Sequence, residues 1–252
     1  MQPKTKREIR ELREGGKRLR DVLYSLLEEV KPGVSAAEID AKAQERIRKA
    51  GGTPSFLGYG VESGVPFPNA VCVSVNEEVV HGFALADKVF RKGDLVTLDI
   101  GMWYNDLATD MARTVAVGEI SDEARTLLGA TRESLDKGIA AIRNGAAMRD
   151  YAEAVEGFAK RRGLGVVRDL VGHGVGHAVH EWPQISNYPA GAIDEVFRTG
   201  MVVALEPMLT LGGWRVKVLP DGWTFVTSDG VLSAHFEDTI AVTDRGAEIL
   251  TR

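Results

Sequence analysis

Four acidic residues and one histidine stand where charge and imidazole are costly to keep. Asp99 lies in DLVTLDIGMW and Asp110 eleven residues further on in NDLATDMARTV; Glu206 ends MVVALEP and Glu237 sits inside AHFEDTIAV. These runs are rich in β-branched and aromatic residues, and a carboxylate buried in such a strand without a partner is strongly unfavourable. Lysine or arginine is the ordinary partner, yet neither MVVALEP nor AHFEDTIAV has one close by. His173 belongs to VGHGVGHAVHEWP, which holds three of the chain's five histidines among Gly172, Gly174, Gly176 and Ala178. Such a segment suits a site that needs imidazoles and close backbone approach together, although a Gly-rich surface loop would read the same way.

Together Asp99, Asp110, His173, Glu206 and Glu237 make a hard, oxygen-rich donor set. It suits two divalent cations sharing carboxylates and differs from the thiolate and imidazole set of structural zinc. Other chemistries are set aside. HEWP breaks at Pro183, where a helical HExxH pair would have to continue, and no GxSxG elbow or Walker-type phosphate loop occurs.

The elements that must hold these residues follow from periodicity. Lys4 to Val30 carries Ile9, Leu12, Leu19, Leu23, Leu26 and Val30 on one helical stripe, and Lys31 to Gly33 breaks it. Ser35 with Glu38 predicts a capping box opening a second helix, which stops at Gly51 and Gly52. Ser121 to Arg143 and a shorter run to Gly163 repeat the arrangement. Gly33 and Gly145 are 112 residues apart, as are Gly51 and Gly163, which suggests an internal duplication. Strand-like runs begin at Ala70, Asp94, Ala112, Met201, Trp223 and Ala234. The expected fold is α+β, one domain over residues 1–252 with similar halves at about 1–118 and 119–252, two helix pairs covering a curved, mostly antiparallel sheet. In the first strand Thr97 and Asp99 share a face opposite Val96, Leu98 and Ile100. A hairpin turning between Tyr104 and Asn105 would set Asp99 directly opposite Asp110. Cβ atoms are then about 4.5–5.5 Å apart, and the pair needs a shared proton or a cation between. A slip of the turn would separate them.

Composition narrows the setting. The net charge of −5 argues against nucleic acid or an anionic membrane as partner, no apolar run approaches a membrane span, and the N-terminus lacks a signal peptide's apolar stretch. The single cysteine, Cys72, excludes an intrachain disulfide and fits a reducing compartment, so the expectation is a cytoplasmic monomer.

At these residues the sequence resembles the type I methionine aminopeptidases of the pita-bread metallopeptidase fold. CVSVNEEVVHG, TLDIG with the second Asp eleven residues on, GHGVGHAVHEWP, ALEPML and DGWTFVTSDGVLSAHFEDTIAVT carry the resemblance in order over nearly the whole chain. It implies Asp99, Asp110, His173, Glu206 and Glu237 as ligands of two divalent ions (iron(II), manganese, cobalt or zinc), with Asp110 and Glu237 bridging. It implies release of N-terminal methionine from peptides and nascent chains, with Glu206 as base and His81 and His180 as catalytic, substrate-contacting residues. Tyr59, Phe67, Cys72 and Trp223, with Phe56 near, would line the methionine pocket. Three departures stand out: GYGVESGVPFP is longer than the family's usual loop, Val179 replaces a bulkier residue and would widen the pocket, and Asp238 replaces a histidine and would alter the metal's surroundings. His177 receives no role, and His235 reads as structural or surface. The rivals are a proline-directed peptidase of the same fold, which usually carries a large N-terminal domain, and a non-catalytic binding module, which would be expected to lose ligands.

Overall fold

The computed structural model describes residues 2–61, 64–190 and 195–252. Helix α1 runs Lys6–Leu27, shorter at both ends than its apolar stripe. Thr5 stops it at the start: its side chain accepts the Glu8 N–H while the Glu8 carboxylate accepts the Thr5 N–H, a reciprocal cap that the periodicity did not mark. Ser35 and Glu38 form the predicted box ahead of α2 (Ala36–Lys49). Ser121 caps α3 (Asp122–Ala140), and α4 (Met148–Lys160) follows an N-cap Ala147 that makes no side-chain cap bond.

The 112-residue offset reappears in backbone detail. Gly33 and Gly145 have φ of 89° and 84°, and Gly51 and Gly163 have 82° and 70°, a conformation that L side chains adopt at a cost. The Gly33 N–H donates to Phe90 O and the Gly145 N–H to Phe197 O; Ala36 N–H donates to Lys88 O and Met148 N–H to Glu195 O. Each helix pair is thus tied to its following segment by the same bonds.

The main sheet has nine strands, and its pairings are antiparallel. Five neighbours across it matter most: Leu95–Tyr104, Leu107–Ala116, Glu237–Thr243, Val202–Leu205 and Gly172–Gly174. Their outer face is apolar and carries the helices. Val96, Leu98 and Ile100 pack with Leu19, Leu23 and Ile39 of the first pair. Val203, Leu205 and Ile240 pack with Leu135, Tyr151 and Val155 of the second. AHFEDTIAV is broken at Phe236 into Ser233–His235 and Glu237–Thr243, and only the second piece joins the main sheet.

The hairpin register corrects the expectation. Asn105 and Asp106 both have positive φ, 49° and 61°, so they form the two-residue turn, and Tyr104 pairs with Leu107. Asp99 therefore faces Ala112, and Asp110 faces Gly101. The two acids share a face as diagonal neighbours, not as a direct pair. A Cβ on Gly101 would collide with Ser55 Oγ and the Phe56 ring, which explains the glycine of TLDIG.

Candidate metal centre and substrate pocket

Strand register alone gathers the acids. Cys72 pairs with Asp99, Asp99 with Ala112 and Ala112 with Glu237, a single row across four strands. Asp238 pairs with Leu205, so continuing that register brings Glu206 level with Glu237. His173 pairs with Ala204, two residues before Glu206 and on the same face. The five residues expected as ligands are brought together on the inner face, each from a different strand or strand end. Asp99, Asp110, His173 and Glu237 are buried. The Glu206 side chain is 12% exposed, and its Oε1 lies 3.4 Å from His173 Nε2.

Backbone anchors hold the set. The Thr239 hydroxyl accepts the Asp110 N–H at 3.0 Å and donates to Asp110 O at 2.8 Å, standing in for ladder bonds that the main chain does not make there. Tyr151 of α4 donates to Asn187 Oδ1 at 2.6 Å, and Asn187 Nδ2 donates to Glu206 O at 3.1 Å. His173 Nδ1 lies 2.9 Å from Gly174 O. A carbonyl only accepts, so the proton sits on Nδ1 and the Nε2 lone pair faces Glu206 and the site. A Cβ at Gly172 would press on Ala204 O, so that glycine does allow close strand approach beside His173.

The residues fit divalent cations. Asp99 Oδ1, Asp110 Oδ1 and Glu237 Oε1 are buried with no hydrogen-bond partner. Among the described residues, the groups within ion-pairing distance of these acids are histidines, not lysine or arginine. Asp110, His173 and Glu237 each offer one ligand atom, all within 4.8 Å of one another. The crowding of negative charge shows in proton affinity. Burial pushes Asp99 up to about 7. Burial, then the neighbouring carboxylates, holds Asp110, Glu206 and Glu237 well above the usual range. Burial lowers His173 to about 3, leaving a neutral imidazole with a free lone pair.

Beside the acids opens a cavity of about 480 Å³. Phe56, Tyr59, Phe67, Cys72 and Trp223 line it together with His81 and His180. Phe67 and Trp223 meet edge to face at 5.4 Å, and Trp223 Nε1 donates to Val65 O at 2.8 Å, which fixes the indole. His180 lies 2.5 Å through Nδ1 from the Tyr59 hydroxyl, and its ring centroid is 4.3 Å from that of His173. His81 is held at φ 58°, a strained conformation for a non-glycine residue. Its Nδ1 has no partner, and burial lowers its pKa to about 4.

Three sequence readings need correction. Val179 is buried behind the pocket wall, in the cluster of Phe56, Phe67 and Cys72, so its small size would bear on the pocket through these residues rather than as part of the cavity surface. Asp238 points away from the acids, to Arg113 at 2.6 Å, Arg252 at 2.8 Å and Thr251 at 3.0 Å; it bears on the centre through Arg113, which donates to Glu237 O, and through its own negative charge, which adds to the raised proton affinity of Glu237. His235 is not at the surface. It is 1% exposed, neither ring nitrogen has a partner, and Nε2 lies 3.9 Å from Glu206 and 4.0 Å from Glu237. Alternation along AHFEDTIAV already set it on the side of Glu237, two residues on, and that was the available signal. The longer loop GYGVESGVPFP includes Glu62 and Ser63, which lie outside the described residues.

A peptidase centre of this kind, on strands of one sheet under two helix pairs, defines a class of metal-dependent hydrolase. Residues 10–244 match the model of metallopeptidase family M24, and the chain belongs to that family. It is 43% identical over 249 residues to a methionine aminopeptidase of Clostridium perfringens, covering 98% of this chain and 97% of that one. It is 47% identical over 235 residues to a methionine aminopeptidase of Treponema pallidum, covering 93% and 88%. The crystal structure of a methionine aminopeptidase from Thermotoga maritima superposes with a TM-score of 0.95 at 42% identity, covering 100% and 99%, and the fold is the pita-bread fold. An Xaa-Pro dipeptidase from Bacillus anthracis matches with a TM-score of 0.79 at 28% identity, and this chain spans 62% of it.

Proposed function

We infer that the chain is a methionine aminopeptidase that hydrolyses the first peptide bond of peptides and nascent chains beginning with methionine. The observation that carries the reading is the adjacency of an acid cluster lacking lysine and arginine partners and an aromatic pocket, joined at Cys72 and Asp99. Full-length similarity to methionine aminopeptidases supports it over the proline-directed reading. Retention of all five donor residues argues against a non-catalytic binding module.

Asp99, Asp110, His173, Glu206 and Glu237 would hold two divalent ions, with iron(II), manganese, cobalt and zinc all compatible with the donors. Such ions supply Lewis acidity and make water a better nucleophile near neutral pH. The protein's own groups do the rest. Glu206, at the edge of the acid cluster with its side chain 12% exposed and Oε1 3.4 Å from His173 Nε2, takes the proton of the attacking water. His180 donates to the carbonyl oxygen as negative charge develops on it. His81, partnerless at Nδ1 and facing the same cavity, binds at the scissile amide and assists the leaving amine. Phe56, Tyr59, Phe67, Cys72 and Trp223 enclose the methionine side chain, with exclusion of water as the driving force. The buried, unpaired Cys72 and the acidic net charge accord with a cytoplasmic monomer that needs neither nucleic acid nor membrane.

The test is peptide hydrolysis by metal-stripped protein with and without manganese, iron(II), cobalt or zinc, using Met-Ala-Ser, Leu-Ala-Ser and an Ala-Pro peptide. Metal-dependent release of methionine, lost in Glu206→Gln, is expected. Cleavage only beside proline, or silence with metal bound, would overturn the reading.

A further inference from the structure

The histidine left without a role, His177, leads to the N-terminal segment. Lys4 is outside α1, yet its side chain is fully buried. Its ammonium reaches both oxygens of Glu181, at 2.9 and 2.8 Å, and His177 Nδ1 at 3.3 Å. An ammonium can only donate, so Nδ1 accepts and the ring proton sits on Nε2. Nε2 lies 2.7 Å from Glu8 Oε1, and the other oxygen of Glu8 closes the cap of α1. One protonation state satisfies the whole chain of contacts. Glu181 turns its Oε1 back on its own loop, accepting the N–H of His177 at 2.5 Å and of Ala178 at 3.1 Å. The segment from His177 to Glu181 is thereby closed around one carboxylate, and His180 is the residue immediately before it.

The backbone is shaped to admit the lysine. Gly176 has φ 136°, and a Cβ there would run into Lys4 Cε. The Lys4 N–H donates to Gly200 O at 2.7 Å, which fixes the segment on its other side. A buried ion pair is weak evidence for net stability, because desolvation offsets most of the attraction; its directional bonds are better suited to specifying one geometry.

We propose that Lys4, acting through Glu181, is a positioning residue that sets the orientation of His180 toward the reacting carbonyl. The inference rests on the role given to His180 above. Lys4 touches no substrate. Removing its charge leaves Glu181 held only by the loop it must hold, and His180, otherwise restrained by Tyr59 and the His173 ring, loses its fixed donor direction.

A double-mutant cycle on Met-Ala-Ser hydrolysis, with metal content measured for each protein, tests this. Lys4→Met keeps the buried stem and removes the ammonium. Alone it should lower kcat about tenfold with KM and metal content unchanged, since misplacement of a reacting group costs rate steeply. In a His180→Ala background the same change should lower kcat by less than about twofold, because the group being positioned is gone. Lys4→Arg should recover most of the rate. Equal effects of Lys4→Met in both backgrounds, an unchanged kcat, or a loss matched by lost metal would overturn the proposal. If His180→Ala alone leaves kcat intact, the role of His180 fails instead. Should Lys4→Met not fold, Glu181→Gln is carried through the same cycle, with the same outcomes deciding.

Discussion

Glu237 and Asp238 are consecutive, both almost fully buried, and treated in opposite ways by the fold. Asp238 faces outward beneath the helices and meets two arginines and a threonine hydroxyl. Glu237 faces inward and has an oxygen with no hydrogen-bond partner, and burial first, then the surrounding Asp110, Glu206 and Asp99, raise its proton affinity. One strand thus carries a carboxylate neutralised by the protein and another that lacks a lysine or arginine partner and that the proposed function assigns to a cation. On that reading the difference separates an acid kept for structure from an acid kept for chemistry. Arg113 connects them, since it pairs with Asp238 and donates to the backbone carbonyls of Ala112 and Glu237, steadying the strands from behind.

The two faces should respond oppositely to mutation. On the inner face, Glu206→Gln should lower kcat by about 10²–10⁴. The metal-free protein should nevertheless melt no lower than the parent, because the cost of burying an acid that must take up a proton to fold has been removed; thermal melts with chelator check this. On the outer face, Asp238→Ala should destabilise by about 3–5 kcal/mol, since Arg113 is left buried and unpaired. The rate per metal-loaded folded molecule should stay within a few-fold, read by denaturant titration and by assay at low temperature.

A pH series sharpens the contrast. In the metal-free protein Asp99 is pushed up to about 7 by burial, against about 4 in an unfolded chain. Between those values the folded state holds more protons than the unfolded one, so raising the pH through that window destabilises it. Melting temperature with chelator should fall from pH 5 to pH 8, while saturating manganese, which displaces those protons, should remove the fall. The smallest effect belongs to Arg252, whose side chain is 34% exposed. Arg252→Ala should cost about 1 kcal/mol or less and leave metal binding unchanged in a titration.

Much of this was legible in the residues. Acids in apolar strands with no basic neighbour marked the inner face, and a box such as Ser35 to Glu38 marked a helix start because capping is local chemistry. What escaped depended on distant geometry. The choice between turns at Tyr104-Asn105 and Asn105-Asp106 is decided by two adjacent left-handed residues, and both pairs contain plausible turn formers. Asp238 looked like a modifier of the metal centre because the family resemblance places a histidine there, although alternation along the strand already puts it on the face opposite Glu237. Lys4 read as part of a helical stripe, whereas its burial depends on Glu181, 177 residues away. Val179 was assigned to the pocket by its place beside His180, but the chain there turns it into the core.

The most direct measurement is manganese binding by calorimetry to metal-stripped protein, comparing the parent with Glu237→Gln and Asp238→Asn. The parent should bind two ions per chain. Glu237→Gln should lose the tighter binding or one of the two ions, and Asp238→Asn, measured below its lowered melting point, should keep both. Two ions bound with unchanged affinity in Glu237→Gln, or their loss in Asp238→Asn alone, would contradict the assignment of the inner acids to the metal and of the outer acid to the fold.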